Sequence, residues 1–173
     1  MEIIKANYFV SKDKFKSIRS PERVVENYEF ELYIKGEGYS IIDGVKYPYT
    51  PGALVLARPG TKRYSYGAFE CFCIHFMPQK DDDIIDVIDK FPLWYKPKNL
   101  REIEKIFSNC ERRGEFNKND NMYISGAVLQ LVAVLNDMLY PFGENKISKY
   151  SRYLGEIVKA KNYIEINYGS KIT

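Results

Sequence analysis

With one histidine, one tryptophan and three cysteines in 173 residues, the chain is poor in the residue types that most metal and nucleophile chemistry uses. A lone imidazole, His75, cannot supply the several converging histidines of a metal-binding β-barrel, so no metal and no cofactor is expected. Cys71, Cys73 and Cys110 are an odd, sparse set that suits reduced thiols in the cytoplasm better than a disulfide framework. Long apolar runs are also missing: the best candidate, Ala127 to Leu139, is interrupted by Gln130, Asn136 and Asp137, and no membrane partner is expected. The opening Met1-Glu-Ile-Ile-Lys5 lacks a basic start ahead of an apolar core, so no secretory signal is visible. Gly36-Glu37-Gly38 leads into a strand pattern rather than a helix, which removes the phosphate-cradling loop. There is no internal repeat and no low-complexity tract.

Charge is nearly balanced, at +3 overall, and its placement says more than its size. Residues 1–143 carry 20 basic and 20 acidic side chains, so the excess lies in 144–173. The first part therefore has no bias toward nucleic acid, and the tail leans only weakly basic.

What the chain has is strand and turn chemistry between Tyr28 and Phe76. Runs rich in Tyr, Ile, Val and Phe are punctuated by Gly36-Glu37-Gly38, Asp43-Gly44, Pro51-Gly52 and Pro59-Gly60. Asp-Gly between alternating runs is a strong hairpin signal, because a two-residue type I′ turn needs positive φ at both central positions. Turns this close leave no room for helical crossovers, so the sheet is antiparallel and forms a barrel or sandwich.

After Phe76 the texture turns helical. Asp81-Asp-Asp83 opens a short periodic piece, Ile84 to Ile88. Pro92 and Pro97 force Phe91 to Pro97 to be extended, lying on the barrel. Asn99 caps a helix with Leu100, Ile103, Phe107 and Cys110 on one stripe and Gly114 as its stop. A longer helix from about Asp120 to Tyr140 has more apolar surface than one docking face needs. Val128, Leu131, Leu135 and Met138 follow a three- and four-residue rhythm suited to a homodimer contact, while Leu129, Val132 and Leu139 can dock on the barrel. A polar stretch, Glu144 to Tyr150, reads as a linker, followed by an amphipathic helix from Ser151 to Asn167.

Cys71, Cys73 and His75 alternate along one strand and share a face, but ligands so placed spread over about 14 Å, which favours β-packing over a metal site. Arg19, Arg58 and Arg63 could each bind a carboxylate, phosphate or sugar hydroxyl, with a surface salt bridge as the plain alternative. Glu29, Glu31, Tyr33 and Lys35 share one strand face opposite Phe30, Leu32 and Ile34, and hydrophobicity alone sends the glutamates to solvent.

The order Tyr28-Glu-Phe-Glu-Leu-Tyr-Ile-Lys-Gly-Glu-Gly38, Asp43-Gly44, Pro51-Gly-Ala-Leu-Val-Leu56, Pro59-Gly60 and Cys73-Ile-His-Phe76 resembles the N-terminal regulatory domain of AraC-type transcription regulators. The tail from Ala160 to Thr173 is similar to the opening of that family's DNA-binding domain. The resemblance implies a mainly β fold with C-terminal helices: a cupin-like jelly-roll barrel over residues 1–97, a helical dimerisation region over 98–143, a linker over 144–152, and the first helix of a truncated helix-turn-helix domain over 153–173. It implies no catalysis, a small-molecule effector in the barrel, a homodimer, and DNA contact only through the missing C-terminal domain. Pocket contacts carried over are Arg19, Arg63, Tyr64 and the final strand near Cys71 and Cys73, with Glu31 and Tyr33 turned inward, so that Arg19 or Arg63 must neutralise Glu31. Where many members carry a histidine this chain has Arg63, which points to a polar or anionic ligand. The alternatives are a cupin enzyme of the isomerase or oxygenase type, and a carbohydrate-binding module.

Overall fold

In a computed structural model of the protein, residues 1–11, 19–111 and 118–141 are described. Met1–Leu139 forms one compact unit. The expected linker over 144–152, the helix over 153–173 and the Gly114 stop lie outside the described residues.

The strands are β1 (Glu2–Val10), β2 (Arg23–Val24), β3 (Tyr28–Ile42), β4 (Val45–Pro48), β5 (Leu54–Ala57), β6 (Lys62–Met77) and β7 (Trp94–Tyr95). They form one antiparallel sheet in the order β1-β6-β3-β5-β7, with β2 on β6 and β4 on β3. Asp43 and Gly44 make the β3–β4 turn with φ of 48° and 82°, as a type I′ turn requires. Within Phe91 to Pro97, expected to be extended throughout, the chain bends at Phe91 and Leu93, and Trp94–Tyr95 pairs with β5 as an edge strand.

Gly36-Glu37-Gly38 does not end a strand. β3 runs straight through it, and β6 is as long, so the two pair from Tyr28↔Phe76 to Ile42↔Arg63. The glycines serve approach rather than reversal. Gly38 (φ 125°) lies opposite Gly67 (φ 98°), and a Cβ on either would stand 2.0 Å from a carbonyl oxygen of the other strand. A side chain cannot be accommodated there, so the β3–β6 pair has glycine where its strands come closest.

Among the described residues three helices follow: α1 (Ile84–Ile88), α2 (Arg101–Glu111) and α3 (Lys118–Leu139). Asn99 Oδ1 accepts the Arg101 N–H at 3.3 Å near the start of α2, and Ile103, Ile106, Phe107 and Cys110 are its buried stripe. Arg58 holds the end of α1, donating from one nitrogen to the carbonyls of Ile88, Asp89 and Phe91. That role is structural and leaves it outside the ligand-binding candidates.

α3 corrects the expected assignment of faces. Val128, Leu131 and Leu135, expected to meet a second subunit, are buried within this chain together with Ile124, where α3 packs on α1, α2 and β1. Spacings of four, three and four make Ile124, Val128, Leu131 and Leu135 one stripe. Leu129, expected on the barrel side, is exposed, as are Met122 and Tyr123; Met138 is half-buried. Asp120–Leu139 has mean hydropathy 1.5 and is, contrary to expectation, apolar and long enough by composition to cross a bilayer, although the inner stripe is spent on the chain's own core.

β3 is buried on both faces from Tyr28 to Tyr33. Tyr28, Phe30 and Leu32 sit with Ile74 and Phe76 in the core, the Phe30 and Phe76 rings stacking at 5.6 Å. Across the sheet, Phe72 meets Phe107 of α2 at 6.4 Å. The opposite face carries Glu29, Glu31 and Tyr33, and it builds the site.

Candidate functional site

Register puts the site together. In the inner face of the sheet, Lys5, His75 and Glu29 form one row across β1, β6 and β3; Asn7, Cys73 and Glu31 form the next; Phe9, Cys71 and Tyr33 form a third. Directly opposed side chains have Cβ atoms about 5 Å apart, so each row is a contact set. The Cys71, Cys73, His75 stripe is therefore flanked by a carboxylate stripe on β3 and a mixed stripe on β1.

From the far half of β6, Arg63 reaches into these rows. It is 3% exposed, and all three of its nitrogens are engaged: Nε donates to Ser40, one terminal nitrogen to Glu29 at 2.7 Å, and the other to Glu31 and Tyr33. Tyr33 also donates its hydroxyl to Glu31 at 2.8 Å. Arg23 closes the set with a two-pronged contact to Glu29 at 2.7 and 2.8 Å. Two buried carboxylates are thus matched by two guanidinium groups, the condition on which such charges are tolerated inside a protein.

Burial alone would raise the Glu31 carboxyl. The charge and hydrogen bond of Arg63, with the Tyr33 hydroxyl, outweigh it and hold Glu31 below the ordinary carboxylate value. Burial likewise works against the Arg63 charge, but Glu31 and its neighbours keep that guanidinium protonated. Burial pushes His75 down against the pull of Glu29 and Glu31, so its imidazole is neutral at pH 7. Burial also raises both thiols, Cys73 to about 11 and Cys71 further, and Cys73 donates to Asn7 at 2.7 Å.

A cavity of about 180 Å³ opens on these rows, walled by Lys5, Glu31, Arg63, Tyr64, Cys73 and His75 among others. Of the expected contacts, Glu31, Arg63, Tyr64 and Cys73 line it. Tyr33 lies behind them as a fully buried partner of Glu31. Arg19 stands apart from the wall: it is half-exposed, pairs with Glu22 at 3.0 Å, and stacks its guanidinium 3.7 Å from the centre of the Tyr64 ring. The arginine upstream of β3 that reaches the carboxylates is Arg23, not Arg19. Between the two guanidinium groups expected to meet Glu31, the one that does is Arg63.

Three participants escaped the sequence reading. Arg23 and Lys5 sat in segments with no strand signal of their own, and Glu29 was placed at the surface. One grouping was missed as well: Glu29, Glu31 and His75 offer ligand atoms within 4.8 Å of one another, a set that could hold a metal ion. Expecting a metal only from several imidazoles or from the Cys71, Cys73, His75 stripe hid it. In this arrangement both carboxylates already hold Arg63, so the cationic position between them is filled by a guanidinium.

No family model matches the chain, and no curated protein matches it. Among solved structures, the chain is similar to the plu4264 protein from Photorhabdus luminescens, at 20% identity and a TM-score of 0.33. That likeness covers 37% of this chain and 56% of the other, so this chain spans a little over half of its neighbour's length. It is too slight to assign a fold beyond the antiparallel sheet and helices described above.

Proposed function

We propose that this chain is the effector-sensing and dimerisation part of an AraC-type transcription regulator, with a cupin-like jelly-roll barrel that takes a small polar or anionic molecule and no catalysis of its own. The observation that carries this reading is the cavity on the inner sheet face, lined by charged and aromatic side chains whose framework charges are already matched. Such a wall binds without having to rearrange first. The raised thiols of Cys71 and Cys73 support a binding site over a nucleophilic one, since the thiolate is the reactive form. Occupancy would act by shifting the population of arrangements open to a following DNA-binding domain, in the cytoplasm.

A thermal-shift screen of sugars, small carboxylates and fatty acids tests this reading. A ligand at 100 times its Kd stabilises by about 2.7 kcal/mol, an easily read displacement. Failure of every compound to stabilise the chain would remove the effector site. Sequencing the gene past codon 173 tests the regulator assignment, which requires two helix-turn-helix units to follow.

The second reading, a cupin enzyme, draws on the Glu29, Glu31 and His75 grouping. It requires a divalent ion to displace Arg63 from two carboxylates. Stoichiometric metal in protein dialysed against manganese or zinc would favour it.

A further inference from the structure

We propose that the cavity selects a small hydroxylated carboxylic acid, with its carboxylate on Lys5 and a hydroxyl donated to Oε1 of Glu31. This inference rests on reading the cavity as an effector site and names the chemistry of its ligand.

The charges in the wall leave one cation over. Arg63 and Arg23 are matched by Glu29 and Glu31, and Lys5 has no carboxylate partner among the described residues. Its ammonium leans toward the Phe9 ring, 5.6 Å from the centroid, on the cavity wall. A single unmatched ammonium fits a monoanion, whereas a phosphate dianion asks for several donors or a backbone nest.

The second anchor is Glu31. Its Oε2 accepts from Arg63 and Tyr33, while Oε1 receives no hydrogen bond from a described residue, on a side chain 9% exposed that lines the cavity. An ionised carboxylate can only accept, so the ligand must bring the donor. An ammonium would do so at the cost of standing beside Lys5, Arg23 and Arg63. A hydroxyl carries no such penalty and brings the donor this oxygen can accept.

Spacing and size agree. Lys5 and Glu31 lie on β1 and β3 with β6 between them and one row apart, so their backbones are about 12 Å distant, and both side chains line the cavity. The cavity, of about 180 Å³, has room for a small acid.

The test is an amide-NMR titration of the chain with four three-carbon probes: glycerate, propionate, glycerol and alanine. Glycerate is expected to perturb Lys5, Glu31 and Cys73 and to bind at least about tenfold more tightly than the other three. Lys5→Met, checked as folded by its spectrum, is expected to bring glycerate down to the level of glycerol. Equal binding of propionate or glycerol, tighter binding of alanine, or wild-type affinity in Lys5→Met would each overturn the inference. Neutral sugars that perturb the same rows while glycerate does not would overturn it and leave the effector reading standing. No stabilisation by any compound in the thermal screen would remove both.

Discussion

Gly38 and Gly67 face each other across β3 and β6 with positive φ on both sides, and neither has space for a Cβ. Gly38→Ala should destabilise the chain by about 3 kcal/mol or more, from a steric clash with backbone added to a strained φ. Gly44, also at positive φ, has nothing within 4 Å of an added Cβ, so Gly44→Ala should cost only about 1–2 kcal/mol. Urea unfolding of the two variants measures the gap, and equal losses would mean that the strands part easily at Gly38.

Arg63 and Glu31 should prove coupled. Arg63→Met leaves Glu31 buried without a cation and is expected to cost about 3–5 kcal/mol. Adding Glu31→Leu removes the stranded charge, while Glu29 keeps Arg23. The double variant should therefore recover a large part of the loss in the same unfolding assay. Losses that simply add would show that the two side chains act independently.

Stability should fall in two steps as the medium is acidified. His75 has its folded value lowered from 6.5, so below that pH the unfolded state binds the extra proton and stability declines. Glu31 is lowered from 4.5, so its contribution, fully present above that value, is lost as pH drops further. Because His75 is the sole histidine, His75→Gln should flatten the first step and leave the second. Unfolding free energies between pH 3 and 8 would show whether it does.

The α3 stripe makes opposite predictions for its two sides. Leu131→Asp should unfold the chain, because Leu131 is fully buried within it. Met122, 75% exposed, and Leu129 belong to the outer side, the face of α3 left over for the proposed homodimer contact. Met122→Glu with Leu129→Glu should give a folded monomer in sedimentation, whereas an unchanged dimer mass would place the contact elsewhere.

The turns were legible because their chemistry is local: Asp43-Gly44 states its own conformation. Helix α2 was legible for the same reason, with Asn99 and an apolar stripe in one window. The face of β3 was not. Glu29 and Glu31 read as solvent-facing because the groups that make them tolerable are Arg63, from the far end of the neighbouring strand β6, and Tyr33, two residues on along the same face of β3. The family resemblance turned that face inward where hydrophobicity did not. Gly36-Glu37-Gly38 read as a break because glycine marks both turns and close approaches, and its partner Gly67 decides which. In α3 two apolar stripes of similar strength compete, and only the elements packed against Ile124 and Val128 choose between them.

Arg63 is delivered by translation. A protein whose central cation is a metal has to acquire it, can surrender it to a chelator and changes when the metal is oxidised. A guanidinium stays protonated throughout the physiological range and takes part in no one-electron chemistry. The two buried carboxylates, Glu29 and Glu31, thus have their counter-charge from Arg63 and Arg23 as soon as the chain has folded, with nothing to be acquired from outside.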